Sequence, residues 1–127
     1  MTTNLRTVLA LRRRGYLAGS VEGYFAGRRR DLFGLVDLIA VGRDGVLFVQ
    51  ATDADHASEH HAKLRGDPKL QDVARRILEA GFQPQMWAWG KRGPLGPSRL
   101  WWARIFVAGR HTRGGPIGWI PDGRMER

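Results

Sequence analysis

The sequence predicts an α/β fold in which a mixed β-sheet is flanked by helices. Two apolar segments joined by a short Gly-containing turn predict a buried β-hairpin. An amphipathic helix follows, and the apolar segments beyond it predict further strands. A helix between two strands of one sheet is a crossover that makes them parallel, whereas hairpins make the other pairs antiparallel. The expected order is therefore α-β-β-β-α-β-β.

Two elements precede the hairpin. Residues Asn4 to Arg14 place apolar side chains on one helical stripe behind a Thr-Asn cap, and Gly15 ends the predicted helix. Residues Val21 to Ala26 contain β-branched and aromatic side chains between glycines, which predicts a strand.

The hairpin combines a strand at Gly34–Val41 with a strand at Val46–Thr52, joined by a turn at residues 42–45. Neither strand alternates apolar with polar residues, a pattern typical of strands covered on both faces. The polar segment Asp53–Arg65 then predicts one or two helical turns.

A second long helix follows, in which Asp67 is the cap, Pro68 is the first helical residue and Gly81 is the terminator. Strands are predicted at Pro84–Trp89 and Leu100–Val107, with a Gly/Pro-rich loop at residues 90–98 between them.

Length and composition limit the class of protein. The chain has 127 residues, enough for one core, with 43% hydrophobic and 26% charged residues, which are globular values. We expect one domain over residues 1–107 and a loosely ordered Gly-, Pro- and Arg-rich tail over residues 108–127. There is no cysteine, no apolar segment of membrane-spanning length and no signal-peptide pattern, so a cytoplasmic protein is expected.

The net charge of +9 points to an acidic polymer as the partner. Arginine matches phosphate oxygens with its planar fork, so nucleic acid is favoured over a membrane surface, for which no long basic amphipathic helix is present. Simple solubility is the alternative explanation. The candidate DNA-binding residues are Arg12, Arg13, Arg14, Arg28, Arg29, Arg30, Lys91 and Arg92.

Polar residues interrupt the apolar hairpin at one end. If Arg43 and Asp44 form the two-residue loop, Asp37 lies opposite Gln50 on one face of the strand pair, and Thr52 points the same way. A buried carboxylate needs a partner. A metal ion and a hydrogen bond to backbone or to an arginine are equally good explanations for Asp37.

The segment Arg30-Asp31-Leu32-Phe33-Gly34-Leu35-Val36-Asp37-Leu38, followed by Val49-Gln50-Ala51-Thr52, resembles the PD-(D/E)XK, or restriction-endonuclease-like, nuclease superfamily. The resemblance covers roughly Asn4 to Lys91 and is strongest to phage-associated, Holliday-junction-resolvase-like members. It implies a metal-dependent DNA endonuclease that uses Mg²⁺ or Mn²⁺, acts on branched or duplex DNA, and works in the host cytoplasm if the protein comes from a phage.

The same resemblance implies the site. Asp37 would be the metal-binding aspartate, Gln50 would stand in place of the second acidic ligand, and Thr52 in place of the catalytic lysine. The carbonyl of Ala51 would be a further ligand.

Two departures from the family pattern add three residues to the candidate site. The first helix carries no acid, so Glu22 or Asp31 would complete the ligand set. Thr52 brings no positive charge, which Lys63 would restore. The alternative function is a nuclease-fold protein that binds DNA but cuts it weakly or not at all.

Two other groups of residues suggest alternative sites. His56, His60 and His61, with nearby acids, suggest zinc, but the HExxH spacing is absent and a solvated surface is favoured. The pairs Trp87/Trp89 and Trp101/Trp102 suit base stacking, but core packing or a homodimer contact is favoured for aromatics inside strands.

Overall fold

A computed structural model describes residues 1–21, 23–25 and 27–127, giving the backbone alone at positions 24, 25 and 29. The helices are α1 (Thr3–Arg13), α2 (Ala57–Gly66, preceded by a 3-10 turn at Ala54–His56) and α3 (Pro68–Glu79). The strands are β1 (Leu17–Ser20), β2 (Gly23–Phe25), β3 (Arg28–Arg30), β4 (Leu38–Gly42), β5 (Gly45–Asp53), β6 (Gln83–Gly93), β7 (Gly96–Arg110) and β8 (Ile117–Glu126).

Six of these strands form one mixed sheet in the order β1-β4-β5-β6-β7-β8. Strands β5 and β6 are parallel, and every other neighbouring pair in this sheet is antiparallel. The α2–α3 segment is the crossover between the parallel pair, as the sequence predicts. Strands β2 and β3 form a separate two-stranded sheet.

Helices cover both faces of the six-stranded sheet, which gives an α/β architecture. Helix α1 packs on one face, where the core side chains include Val8, Leu11, Leu38, Val49, Trp87 and Trp89. Helices α2 and α3 pack on the other face, where the core includes Leu64, Leu70, Ile77, Met86, Phe106 and Trp119. The prediction that the β4–β5 hairpin is covered on both sides is therefore confirmed.

The predicted Asp67 cap of α3 is confirmed, whereas α1 begins one residue earlier than predicted, at Thr3, with Thr2 rather than a Thr-Asn pair as its cap. The hydroxyl of Thr2 accepts a 3.1 Å hydrogen bond from the Leu5 N–H at the start of α1. At the start of α3 the Asp67 carboxylate accepts a 2.9 Å bond from the Lys69 N–H, and Pro68 occupies the first turn. Each of these caps satisfies one of the backbone donors that a helix start leaves unpaired. None of the helices in the described part of the chain combines the length and apolar character needed to span a bilayer.

Two strand predictions near the N-terminus need correction. The first strand of the main sheet is β1, which pairs with β4, whereas the described part of the Val21–Ala26 segment forms β2 of the small sheet. The strand predicted from Gly34 begins only at Leu38, because the chain turns at Phe33 and Gly34, where φ is 60° and 76°. The left-handed backbone there is incompatible with a strand.

The C-terminal part is more regular than predicted. Most of the predicted loop at 90–98 belongs to a continuous hairpin of β6 and β7, with only two residues between the strands. The expected loosely ordered tail instead contains β8, which pairs with β7 over Arg110↔Ile117 to Ala103↔Glu126. Buried Ile117 and Trp119 hold β8 on the α2–α3 side of the sheet, so hydrophobic burial explains its order.

Candidate functional site

A polar cavity of about 370 Å³ lies among the start of α1, the Asp37 end of the β4–β5 hairpin, and α2; we call it the Asp37 cavity. Its walls are Thr3, Asn4, Asp31, Asp37, Gln50, Ala51, His60 and Lys63. The cavity thus brings together five of the residues that the sequence and the family resemblance single out: Asp31, Asp37, Gln50, Ala51 and Lys63.

The hairpin fixes the position of Asp37. The predicted register is confirmed, since Leu38 pairs with Val49 and Gly42 with Gly45. Asp37 comes immediately before β4, and its N–H donates a 2.9 Å hydrogen bond to the Val49 carbonyl. Its Oδ2 accepts a 2.8 Å bond from the Ala51 N–H. With 8% of its surface exposed, Asp37 is held through its backbone by Val49 and through its carboxylate by Ala51, both on β5.

Gln50 is also buried, with 6% of its surface exposed, and its side chain lines the same cavity. It pairs with Met86 of β6 across the parallel ladder. Because Met86 belongs to the core under α2 and α3, Gln50 lies on that face of the sheet. The predicted juxtaposition of a carboxylate and an amide at this end of the hairpin is present.

Thr52 does not join this group. It is 5% exposed, its hydroxyl donates a 3.3 Å hydrogen bond to the Asp53 carbonyl, and it is not part of the cavity wall. Lys63 reaches the cavity from α2 instead. Of the two upstream acids named from the sequence, Asp31 lines the cavity and Glu22 lies outside the described residues.

Three lining residues, Thr3, Asn4 and His60, were not expected there from the sequence. Burial, followed by the nearby charge of Lys63, lowers the pKa of His60. In its neutral form, which this shift favours, the imidazole has one N–H donor and one acceptor nitrogen. The spacing of His60 and Lys63, three residues apart on one helix, is the signal that places both on one face.

The three histidines of the alternative zinc site lie in different environments. His56 binds the Asp53 carboxylate through Nδ1 at 2.6 Å on the surface, whereas His61 packs edge-on against Phe106 with ring centroids 4.8 Å apart. His60 alone of the three enters the Asp37 cavity. Within residues 1–21, 23–25 and 27–127, no three His, Asp or Glu side chains are grouped closely enough to hold a metal ion.

The oxygen donors in the cavity are of the type that Mg²⁺ accepts. Two carboxylates, Asp31 and Asp37, stand beside the amide of Gln50 and the backbone of Ala51. This set has two carboxylates and no thiolate. It fits a hard divalent cation better than zinc, although Gln50 contributes no charge.

The basic residues predicted to bind DNA fall into different environments. Arg12 donates two hydrogen bonds to the Ala18 carbonyl, at 3.1 Å and 2.9 Å, and Arg14 pairs with Glu126. Arg13 binds the carbonyl of Arg127 at 2.9 Å. These contacts attach α1 to β1 and to the end of β8, so Arg12, Arg13 and Arg14 stabilise the fold.

Nearer to the site, Arg28 and Arg30 line a shallow depression of about 330 Å³ that shares Asp31 with the Asp37 cavity. The side chain of Arg29 lies outside the described residues. Lys91 and Arg92 are exposed on the projecting part of the β6–β7 hairpin. Cationic side chains therefore border the cavity on the β3 side.

Comparisons with known proteins add no relative: no family model, no curated protein and no solved structure matches the chain.

Proposed function

We propose that the protein is a metal-dependent DNA endonuclease of the PD-(D/E)XK type, structure-selective and similar to Holliday-junction resolvases. The observation that carries the proposal is the convergence of Asp31, Asp37, Gln50 and Ala51 in one cavity. The family resemblance assigns metal-ligand roles to the same four residues, which supports the proposal. The restriction-endonuclease-like class of the fold is part of the same proposal, and the mixed sheet with its α2–α3 crossover supports it.

A divalent ion bound by Asp31, Asp37 and Gln50 would activate water and offset charge on the scissile phosphate. The chain's own residues do the rest. The Ala51 N–H holds the Asp37 carboxylate in place, so the ligand is oriented before substrate arrives. Lys63, on the α2 wall, supplies the positive charge that a threonine at position 52 does not.

Arg28 and Arg30 provide phosphate contacts beside the cavity. Contacts of this kind orient the backbone without reading bases, which suits an enzyme that selects DNA by shape. The single-domain size and the location of the arginines on a small two-stranded sheet agree with recognition of the backbone near a branch.

A binding-only protein is the second candidate, and one observation favours it. The hydrogen bond from Ala51 to Asp37 gives the carboxylate a role in holding the hairpin together that needs no metal. Asp37 would then have only a structural role, and the basic surface would bind DNA.

Cleavage of labelled four-way junctions, flaps and duplexes, with Mg²⁺, Mn²⁺ or EDTA, separates the two candidates. We expect cutting that requires metal and is abolished by Asp37→Asn, an isosteric change, while junction binding persists. Asp44→Asn, in the exposed β4–β5 turn, is the matched control and should cut like the parent. If Asp37→Asn cuts normally, the site is elsewhere, and if no substrate is cut with either metal, the binding-only candidate replaces the nuclease.

A further inference from the structure

A second groove, of about 270 Å³, runs between α1 and the β6–β7 hairpin, on the face of the sheet opposite to α2 and α3. We call it the Arg6–Trp101 groove. Its lining consists of Met1, Arg6, Leu9, Arg13, Trp89, Arg99, Leu100, Trp101 and Arg127. Four of these residues are arginines and none is acidic, so the groove presents only positive charge to a ligand.

The indole ring of Trp101 lies among these arginines. Trp101 is 38% exposed, unlike Trp89 beneath it, which is fully buried. The Arg6 guanidinium carbon lies 4.4 Å from the centroid of the Trp101 ring, and the Lys91 ammonium lies 5.4 Å from it. Cation–π contacts of this kind hold the two cations beside the ring without using their N–H groups.

Two arginines of the groove, Arg6 and Arg99, and the neighbouring Lys91 retain donor capacity, whereas Arg13 is bound to the Arg127 carbonyl. Within the described part of the chain, no carboxylate or carbonyl accepts a hydrogen bond from Arg6, Lys91 or Arg99. Arg12 in α1 and Arg14 just after the helix differ, because both are engaged by oxygens of the chain. The groove therefore offers unused donors around a partly exposed aromatic ring.

We propose that the Arg6–Trp101 groove binds single-stranded nucleic acid. Guanidinium and ammonium groups suit the phosphates, while the exposed part of the Trp101 indole, beside the cations that lie over the ring, and the exposed Leu100 provide a surface for unpaired bases. Base faces are accessible in a single strand and hidden in a duplex, so an exposed indole among arginines selects the single strand. The inference goes beyond the proposed nuclease activity and needs neither metal nor Asp37.

The groove also has a defined relation to the Asp37 cavity. The first turn of α1 borders both, with Thr3 and Asn4 in the cavity and Arg6 in the groove. A single strand in the groove passes the start of α1 close to the proposed catalytic site. In a branched substrate, this arrangement holds an unpaired arm beside the duplex to be cut.

Fluorescence anisotropy with labelled oligo(dT), in EDTA and at several salt concentrations, tests the proposal. Trp101→Leu keeps an apolar side chain but removes the ring, and we expect it to weaken binding by about fivefold or more, with partial recovery in Trp101→Tyr. Arg99→Ala should lower the slope of log K against log salt by about 0.7, the value for one phosphate contact on a single strand. Arg43→Ala, an exposed arginine in the β4–β5 turn, removes the same charge far from the groove and should have a smaller effect on affinity.

Three results would overturn the proposal. One is wild-type affinity for oligo(dT) in both Trp101→Leu and Arg99→Ala. Another is an equal loss of affinity for duplex and single strand in Trp101→Leu, since the groove would then not select unpaired bases. The third is a change of sedimentation behaviour in these variants without a change in DNA binding, which would make the groove a contact between two copies of the chain. Asp37→Asn should bind oligo(dT) normally, so failure of the nuclease proposal and failure of this one are separable.

Discussion

The indole N–H of Trp89 donates a 2.8 Å hydrogen bond to the hydroxyl of Thr7, joining β6 to α1 inside the core. The same hydroxyl donates a 2.7 Å bond to the Thr3 carbonyl one turn earlier. Both Thr7 and Trp89 are almost completely buried. The pair therefore fixes how far along the sheet α1 sits, and with it the position of Thr3 and Asn4 in the Asp37 cavity.

Replacing Thr7 with Val should destabilise the protein by about 1–3 kcal/mol, because the indole N–H of Trp89 would be left buried without an acceptor. Urea unfolding followed by circular dichroism measures the change. Thr112→Val, at an exposed position, is the control and should stay within about 0.5 kcal/mol of the parent. Equal stability of the two variants would show that water or another group replaces the hydroxyl.

Changing Gln50 to Glu should tighten metal binding. The substitution keeps the side-chain length and adds a carboxylate to a cavity that already holds Asp31 and Asp37. Without metal the added charge repels its neighbours, so the apo protein should melt at a lower temperature than the parent. Calorimetric titration with Mn²⁺ and metal-free melting measure the two effects. Unchanged affinity with unchanged melting would mean that residue 50 does not act on the Asp37 site.

The titration of His56 should depend on Asp53. The hydrogen bond between the two side chains raises the pKa of His56 and lowers the pKa of Asp53. A histidine with a raised pKa stabilises the fold below its unfolded value, near 6.5, and the contribution disappears as pH rises through the folded pKa. The aspartate contribution is present above its unfolded value, near 3.8, and disappears as pH falls through the folded pKa.

The pair therefore stabilises the protein most between these two unfolded pKa values. Asp53→Asn should lower stability at pH 5 more than at pH 9, and should move the His56 titration in proton NMR back towards that of free histidine. His61 provides an internal comparison, because burial and the charge of Arg104 lower its pKa and Asp53 is not among the causes. A His56 titration unaffected by Asp53→Asn would contradict the pairing.

We expect Gln71→Glu to destabilise the protein more than Gln71→Ala does. Its amide nitrogen donates to the carbonyls of Leu64 and Ile117 at 2.6 Å and 2.7 Å, and its oxygen accepts from the Ile117 N–H at 2.9 Å. A glutamate would direct negative charge at two carbonyl oxygens, so Gln71→Glu should unfold at lower urea than Gln71→Ala at pH 7. The difference should shrink as pH falls, because protonation restores a donor. A Gln71→Glu variant more stable than Gln71→Ala at pH 7 would contradict this account.

The part of the site built on the hairpin was predictable from the sequence, because a turn of known length fixes the register of the strands it joins. The pairing of Leu38 with Val49 follows from placing the loop at Arg43 and Asp44. Strand alternation then places Gln50 on the same side as Asp37. Alternation also places Thr52 on that side, as its pairing with Ala88 of the α2–α3 core shows, but direction alone does not decide whether a side chain reaches the cavity.

Other parts depend on contacts between residues far apart in the sequence. The sequence of strand β1, Leu-Ala-Gly-Ser, has a low propensity for strands, and β1 forms because it pairs with β4. The Gly-rich segment of the β6–β7 hairpin reads as a loop, yet Gly93 is required because a Cβ there would lie 2.7 Å from the Trp102 indole nitrogen. Glycine is favoured both in flexible loops and where a strand packs closely against a side chain, and the sequence alone does not distinguish the two cases.

Strand β8 is an outer edge of the six-stranded sheet, where unpaired backbone groups invite another strand. Pro121 carries no N–H, and the register shift opposite Arg104 and Phe106, with Gly123 at a φ of 86°, breaks the regular spacing of donors and acceptors. Arg124 adds charge to the same stretch. A strand edge interrupted in this way is a poor template for fibril growth, so the last strand resists pairing with a strand of another molecule although its outer edge is uncovered.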